Sequence, residues 1–484
     1  MKRALCTTVA ALAVVYCGLC AAADTPPQAA VDPAILANLD RIRQTAIKSD
    51  WAWELLEDLA DHIGPRLSGS PQNAAAINRV AAAMRALGAQ VTLQPVKVPH
   101  WVRGEEQAEL TDYPARPDGV TQRLRLTTLG GSSATARAGL ERRVIVVHDF
   151  NELRARAQEV LGNIVLFQVR FDQTLADNGR AGAAYGQAGD YRFHGPSQAA
   201  SLGAVAALVR SVGGAEYRLP HTGETLWEPK QAPIPAAALA AEDADLVARL
   251  AAQGPLTMRL LLTPETLPDV DSFNVIADWP GAESADQFVV VSGHLDSWDL
   301  GTGATDDGVG VAAAAGVIQV LHDLNLRARR TVRFIGWANE ENGTRGREAY
   351  FNSLSGKIDA QCAVIESDSG GGHVLGLSAA VTKESLIRLK PVIDALAPLG
   401  ATVLDPRQGQ VGTDIGPLQT AGVPGLAPLV DTRHYFDYHH TAADTLDKVD
   451  PGNLRDQVAT LAVLAYYLAD TPACLPRVPK PDRR

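Results

Sequence analysis

The chain has 484 residues, 46% of them hydrophobic and 20% charged, and a net charge of −11. That length exceeds one ordinary compact domain, allows a large core, and carries a globular rather than a disordered composition. The acidity argues against nucleic acid or an anionic membrane as partner, since phosphates are bound through Lys and Arg that displace counterions.

In chain order, Met1-Lys2-Arg3 forms a short basic end, Ala4 to Cys20 is apolar without a charge, and Ala21-Ala22-Ala23 offers a small-residue cleavage site before Asp24. This is the pattern of a secretory signal peptide over 1–23, and its apolar run falls short of the ~20 residues of a spanning helix. The expectation is a secreted or periplasmic protein with no membrane segment in its mature form. Removing the leader leaves Cys362 and Cys474, too few for a thiolate zinc site. They either form one disulfide in an oxidising compartment or stay unpaired, and spacing does not decide between these.

After a Pro-rich linker at 25–33, the periodicity predicts helix over 35–60 and again over 73–87. Between them Gly64-Pro65-Arg66-Leu67-Ser68-Gly69-Ser70 is dense in turn formers, and a strand follows at 90–98. These make residues 24–100 the first segment of a main body. Over 101–265 short apolar strands (144–148, 163–168, 207–209) alternate with Ala-rich helical stretches (198–206, 241–252). We read this as an inserted, mostly-β lid domain. The main body resumes over 266–475, ahead of a tail at 476–484. Phe288 to Ser292 is a continuous apolar run, expected of a strand buried on both faces. A helix at 309–324, strands at 331–338 and 362–367, and helices at 383–396 and 454–468 follow. The alternation predicts the α/β class, a three-layer αβα sandwich around a mostly parallel sheet. Ligands in such sheets bind beyond the carboxyl ends of the strands.

The chemistry-bearing residues fall at those ends. Gly293-His294-Leu295-Asp296 follows the first central strand, Asp306-Asp307 opens the next helix, Glu340-Glu341 follows the second strand, Asp368 the third, and His439-His440 precedes the last long helix. Taken alone, Asp306 or Asp307 reads as a helix N-cap and Glu340-Glu341 as a solvated helix start. A single His294 or His440 reads as an ordinary hydrogen-bonding residue. As a set they match zinc, which takes imidazole and carboxylate and, when catalytic, keeps an open position. One carboxylate, Asp306, can bridge a zinc pair about 3.5–4 Å apart, leaving Glu340 beside Glu341 to act on water as general base. Asp296, two residues past His294, is expected to orient that imidazole with its carboxylate.

The order His294-x-Asp296, Asp306-Asp307-x-x-Gly310, Glu340-Glu341, Glu366-Ser367-Asp368 and His440-Thr441-x-x-Asp444-Thr445 resembles the co-catalytic zinc aminopeptidase and glutamate carboxypeptidase superfamily. Further stretches share the resemblance, among them Gly64 to Ser70, Pro220-His221-Thr222-Gly223 and Gly412-Thr413-Asp414-Ile415, and it extends from about residue 50 to 470. It implies a protease-associated lid domain for the insert and a catalytic domain split around it. It implies two Zn2+ per chain, with His294, Asp306 and Asp368 on one and Asp306, Glu341 and His440 on the other. Glu340 is then the base, unblocked dipeptides or short peptides the substrates, and a homodimer the assembly. The family's ligand stands four residues before the Asp of the last motif, which selects His440 over His439; some relatives carry Tyr at the latter position. His373, His434 and Asp414 are left between pocket and structural roles. The rival functions are a zinc aminopeptidase or amide deacylase on the same fold, or a binding protein without catalysis. No H-E-x-x-H, G-x-S-x-G, P-loop or dinucleotide fingerprint is present.

Overall fold

The computed structural model describes residues 31–214 and 217–480; the expected leader and the last four residues of the tail lie outside them. A sheet of eight strands runs in the order Gln90–Val102, Glu265–Trp279, Arg330–Trp337, Ser284–His294, Gln361–Glu366, Gly425–Val430, Val374–Ala380, Val403–Pro406. Its middle strands, from Arg330–Trp337 to Gly425–Val430, are mutually parallel. The flanks are not: Gln90–Val102 and Glu265–Trp279 are antiparallel additions, and Val374–Ala380 runs against Gly425–Val430. The sheet is therefore mixed, where a mostly parallel one was expected. The first pair has an evident reason. They are the strands by which the chain leaves the sheet and returns, so they form one antiparallel ribbon, with Val102 opposite Glu265 at its far end.

Side chains alternate across a strand, so a run that is apolar at every position needs cover on both faces. Val289 and Val291 pack into one core with the helices Val309–Asp323 and Pro451–Asp470, while Val290 joins Trp337, Tyr350, Ile415 and Leu418 on the other face. Burying each such valine contributes roughly 1.5–3 kcal/mol. The stretch Ala304–Asp323 is the one described helix long and apolar enough to cross a membrane, and all of its apolar window is buried in this core.

The helix expected over 35–60 is broken. Pro33–Ala46 ends, Ser49 Oγ takes the N–H of Trp51 at 3.3 Å, and a new helix starts at Trp51, a local capture that competes with helix continuation. The helix over 383–396 divides at Leu389, where Pro391 in the next first turn supplies no N–H.

Residues beyond the ribbon form a second sheet of eight strands. Leu140–Val147, Ile164–Phe167, Ala206–Arg210 and Ala236–Leu239 are parallel. Parallel neighbours require crossovers, usually helices, and helices Phe150–Ala155, Ala181–Phe193, Gly195–Ser201 and Ala241–Ala251 accompany them. The insert is thus α/β rather than mostly β. Cys362 and Cys474 are bonded to each other, resolving the open alternative.

Candidate metal centre

Each expected ligand emerges from the carboxyl side of a central strand or from the loop facing it. His294 ends Ser284–His294, Asp306 lies in the wide turn Ala304–Gly308 ahead of the central helix, and Asp368 follows Gln361–Glu366. The structure brings them together. His294 Nε2 lies 3.3 Å from Asp306 Oδ1 and 3.6 Å from Asp368 Oδ1. On the other side of the same carboxylate, His440 Nε2 lies 3.1 Å from Asp306 Oδ2 and 3.1 Å from Glu341 Oε2. Zinc bond lengths near 2.0–2.2 Å place neighbouring donors of a tetrahedral site roughly 3.3–3.5 Å apart, so these spacings fit. Asp306 Oδ2 is moreover buried without a hydrogen-bond partner although two imidazole nitrogens stand beside it. Donors that converge without bonding one another are what an ion between them would organise.

His439 is the second of those imidazoles, 3.2 Å from Asp306 Oδ2, its ring stacked on His440 at 3.7 Å. Sequence spacing preferred His440, and both reach the same oxygen. Their far nitrogens differ. His440 Nδ1 is seated on the Thr222 carbonyl at 3.2 Å, whereas His439 Nδ1 is buried with no partner. Metal-binding histidines almost always have the other nitrogen fixed by an acceptor, which His440 has.

The surrounding loops are held by groups whose role the sequence did not reveal. His294 Nδ1 faces the backbone carbonyl of Asp296 at 2.9 Å, with the Asp296 carboxylate 4.0 Å away. The expected carboxylate–imidazole orientation is therefore replaced by a carbonyl one. That carboxylate accepts instead from Ser68 Oγ at 2.8 Å and from the backbone N–H groups of Glu340 and Glu341 at 3.1 and 3.3 Å. It clamps the turn carrying both glutamates. Trp298 N–H then holds Glu341 Oε1 at 3.2 Å, leaving Oε2 for His440. Asp307 takes the N–H groups of His294 and Gly310. A Cβ on Gly310 would lie 1.9 Å from the Ser367 carbonyl, so this approach requires glycine. Asp444 accepts from Thr305 N–H, Thr305 Oγ1 and Asp306 N–H, fixing the backbone of Asp306.

Arg66, the charged member of the turn-rich motif, is 1% exposed and donates to the carbonyls of Leu59, Gly64, Leu295, Thr302 and Gly303. It ties the first segment to the loop between His294 and Asp306. From the loop between Ala206–Arg210 and Ala236–Leu239 of the second sheet come Thr222 and His221, whose Nδ1 lies 2.9 Å from the His439 carbonyl. Arg103, just past the ribbon, bonds both Asp299 Oδ2 at 2.8 Å and Thr222 Oγ1 at 3.2 Å, joining the two sheets' loops.

Burial pushes the Glu340 carboxyl well above the usual range, with Asp368 and Glu341 adding to this and His294 opposing. Burial likewise drives His439 well below the usual imidazole value, with His440 adding to it. Against burial, Glu341 and Asp306 hold His440 well above it. Asp414 is buried with both carboxylate oxygens unpartnered, behind Glu366, which accepts the N–H groups of Thr413, Asp414 and Ile415. His373 and His434 are exposed, His434 pairing with Asp437 at 2.9 Å. A cavity of about 440 Å3 opens on the centre, lined by Asp306, Glu340, Glu341, Asp368, His439 and His440 and by Tyr185, Arg192, Phe193 and Glu224 of the second sheet's body.

Comparison with known proteins agrees with this geometry. Residues 274–465 match Peptidase family M28. Carboxypeptidase Q of Homo sapiens is 36% identical over 429 residues, 88% of this chain and 87% of that protein; that of Rattus norvegicus is 37% identical over 428 residues, with 88% and 87% covered. Among solved structures, a peptidase M28 precursor from Shewanella amazonensis aligns with TM-score 0.86 at 33% identity, over 92% of this chain and 99% of that one. A zinc aminopeptidase from Bacillus subtilis shares the fold at TM-score 0.64 and 19% identity, over 88% and 96%. Similarity of this extent, on a sheet whose strand ends gather imidazoles around one shared carboxylate, makes the chain a member of peptidase family M28 and a metallo-exopeptidase.

Proposed function

We propose that the protein is an exported dinuclear-zinc peptidase that hydrolyses unblocked dipeptides or short peptides, with Glu340 as its general base. The observation that carries this reading is the division of Asp306, whose Oδ1 faces His294, itself beside Asp368, while Oδ2 faces His440 and the adjacent His439. When bound, the zinc pair supplies Lewis acidity to the scissile carbonyl and acidifies water. His294, Asp306 and Asp368 would hold one ion and Asp306, Glu341 and His440 the other.

The chain's own residues do the rest. With its backbone clamped to Asp296, Glu340 faces the cavity while the adjacent Glu341 turns to His440. Glu340 takes a proton from the attacking water onto its carboxylate and returns it to the leaving amine. A cavity of about 440 Å3 suits a short peptide better than a folded chain. The wall contributed by Tyr185, Arg192, Phe193 and Glu224 gives the inserted sheet the part of a lid. Export rests on the pattern of residues 1–23 and accords with the Cys362–Cys474 bond. A homodimer belongs to the same reading, by resemblance to the family.

Glu340→Gln tests the base. The variant is expected to keep about two zinc ions per chain while kcat on a free dipeptide falls about a hundred- to ten-thousandfold. A variant as active as wild type removes Glu340 from the role. Faster cleavage of N-acetylated than of free dipeptides by wild type turns the reading to a deacylase, and preference for C-amidated ones turns it to an aminopeptidase.

A further inference from the structure

The cavity holds one carboxylate that neither the metal ligands nor the base account for. Glu224 lines it from the second sheet's body, on a segment fixed at both ends. Gly130 N–H donates to the Gly223 carbonyl at 2.9 Å, and Thr225 N–H donates to the Gly130 carbonyl at 3.0 Å. Thr225 Oγ1 bonds the Arg192 carbonyl at 3.2 Å. Two residues earlier, Thr222 carries the carbonyl that seats His440. Glu224 is therefore in fixed register with the metal centre.

Among the described residues, no hydrogen bond and no ion pair within 4 Å engages its side chain. The nearest cations, Arg192 and Arg347, act on it only at longer range. Arg192 has its own partners, the Tyr185 hydroxyl at 2.6 Å and the Thr222 carbonyl at 3.5 Å. Burial pushes the Glu224 carboxyl up to about 7, with those arginines opposing. A carboxylate so placed is poorly solvated, and a cation entering the cavity relieves it. A peptide with a free N-terminus brings such a cation wherever it goes.

Resting on the peptidase reading above, we propose that Glu224 anchors the free α-ammonium of the substrate and so discriminates against N-blocked peptides. A lysine or arginine side chain carries the same chemistry, and the test separates the two sources.

Zinc-loaded wild type and Glu224→Gln are compared on Ala-Ala, Lys-Ala and N-acetyl-Ala-Ala, and calorimetry measures their binding of alaninamide and N-acetylalaninamide. The expected result is a rise of about tenfold or more in KM for both free dipeptides with kcat within about twofold. Alaninamide binding weakens to match, and the acetylated compounds respond alike in both proteins. Glu224→Asp, which keeps the charge, recovers part of the discrimination. A loss confined to Lys-Ala overturns the α-ammonium assignment in favour of a basic side chain. Equal loss on free and acetylated compounds overturns it too, as does alaninamide binding that is equal or absent in both proteins. A wild type that cleaves none of the peptides yet binds alaninamide through Glu224 defeats the peptidase reading and leaves the anchor standing.

Discussion

Two adjacent histidines stand 3.2 and 3.1 Å from one carboxylate oxygen, and their chemistry separates at the opposite edge of each ring. An imidazole whose far N–H is fixed keeps its tautomer and its aim, and loss of such an acceptor commonly costs 10–100-fold in metal affinity. At that edge His440 has the Thr222 carbonyl; His439 Nδ1 has no partner, and its ring is held by contacts from Tyr185, Tyr435 and Phe436 instead. His440→Ala is therefore expected to lower bound zinc from about two to about one per chain, while His439→Ala keeps both. Metal analysis of the dialysed variants checks this. The opposite result would exchange the two residues' roles.

At the scale of elements, support comes from a motif that reads in sequence only as a turn. Replacing Arg66 by Met removes a donor from five backbone carbonyls, of which Leu59 and Gly303 keep the N–H groups of Gly64 and Gly308 while those of Gly64, Leu295 and Thr302 lose theirs. Unsatisfied buried acceptors cost roughly 1–3 kcal/mol, so the variant is expected to lose at least about 3 kcal/mol in urea unfolding. A loss below about 1 kcal/mol would show that water replaces the guanidinium.

The sequence made the central strands at 288–292, 331–338 and 362–367 legible because they are apolar at consecutive positions. Val374–Ala380, with glycine and two alanines, Gly425–Val430, with Pro428 inside it, and the four-residue edge Val403–Pro406 lack the β-branched density that marks a strand. The sequence pattern does not reveal these strands, nor Glu265–Trp279, so each antiparallel pairing of the sheet involves a strand that the pattern leaves unmarked. The residues that gather around Asp306 were readable as a set because metal chemistry dictates side-chain type. Their supports were not. A carbonyl from Thr222 serving His440, 218 residues away, has no residue identity to read, and Asp296 acts on backbone N–H groups that every residue carries.

On the scale of the whole molecule, the Cys362–Cys474 bond closes a loop with a sequence separation of 112 residues, joining a central strand to the segment after the last helix. Cross-links over loops of that length typically stabilise by about 2–5 kcal/mol. Cys474→Ser is expected to lower the unfolding free energy by that amount, whereas adding reductant to the variant changes nothing further. Wild type that unfolds identically with and without reductant would show that the bond does not contribute.

The carbonyl of Thr222 also bears on engineering. Because the second body supplies the carbonyl that seats His440, the insert is not an ornament that can be exchanged at the ribbon while the centre stays as it was. A chimera that grafts a foreign insert between Val102 and Glu265 would inherit the side chains gathered around Asp306 and lose the peptide group that aims His440. Changes within 220–225 are thus expected to disturb the aim of His440 as directly as changes beside the cluster itself.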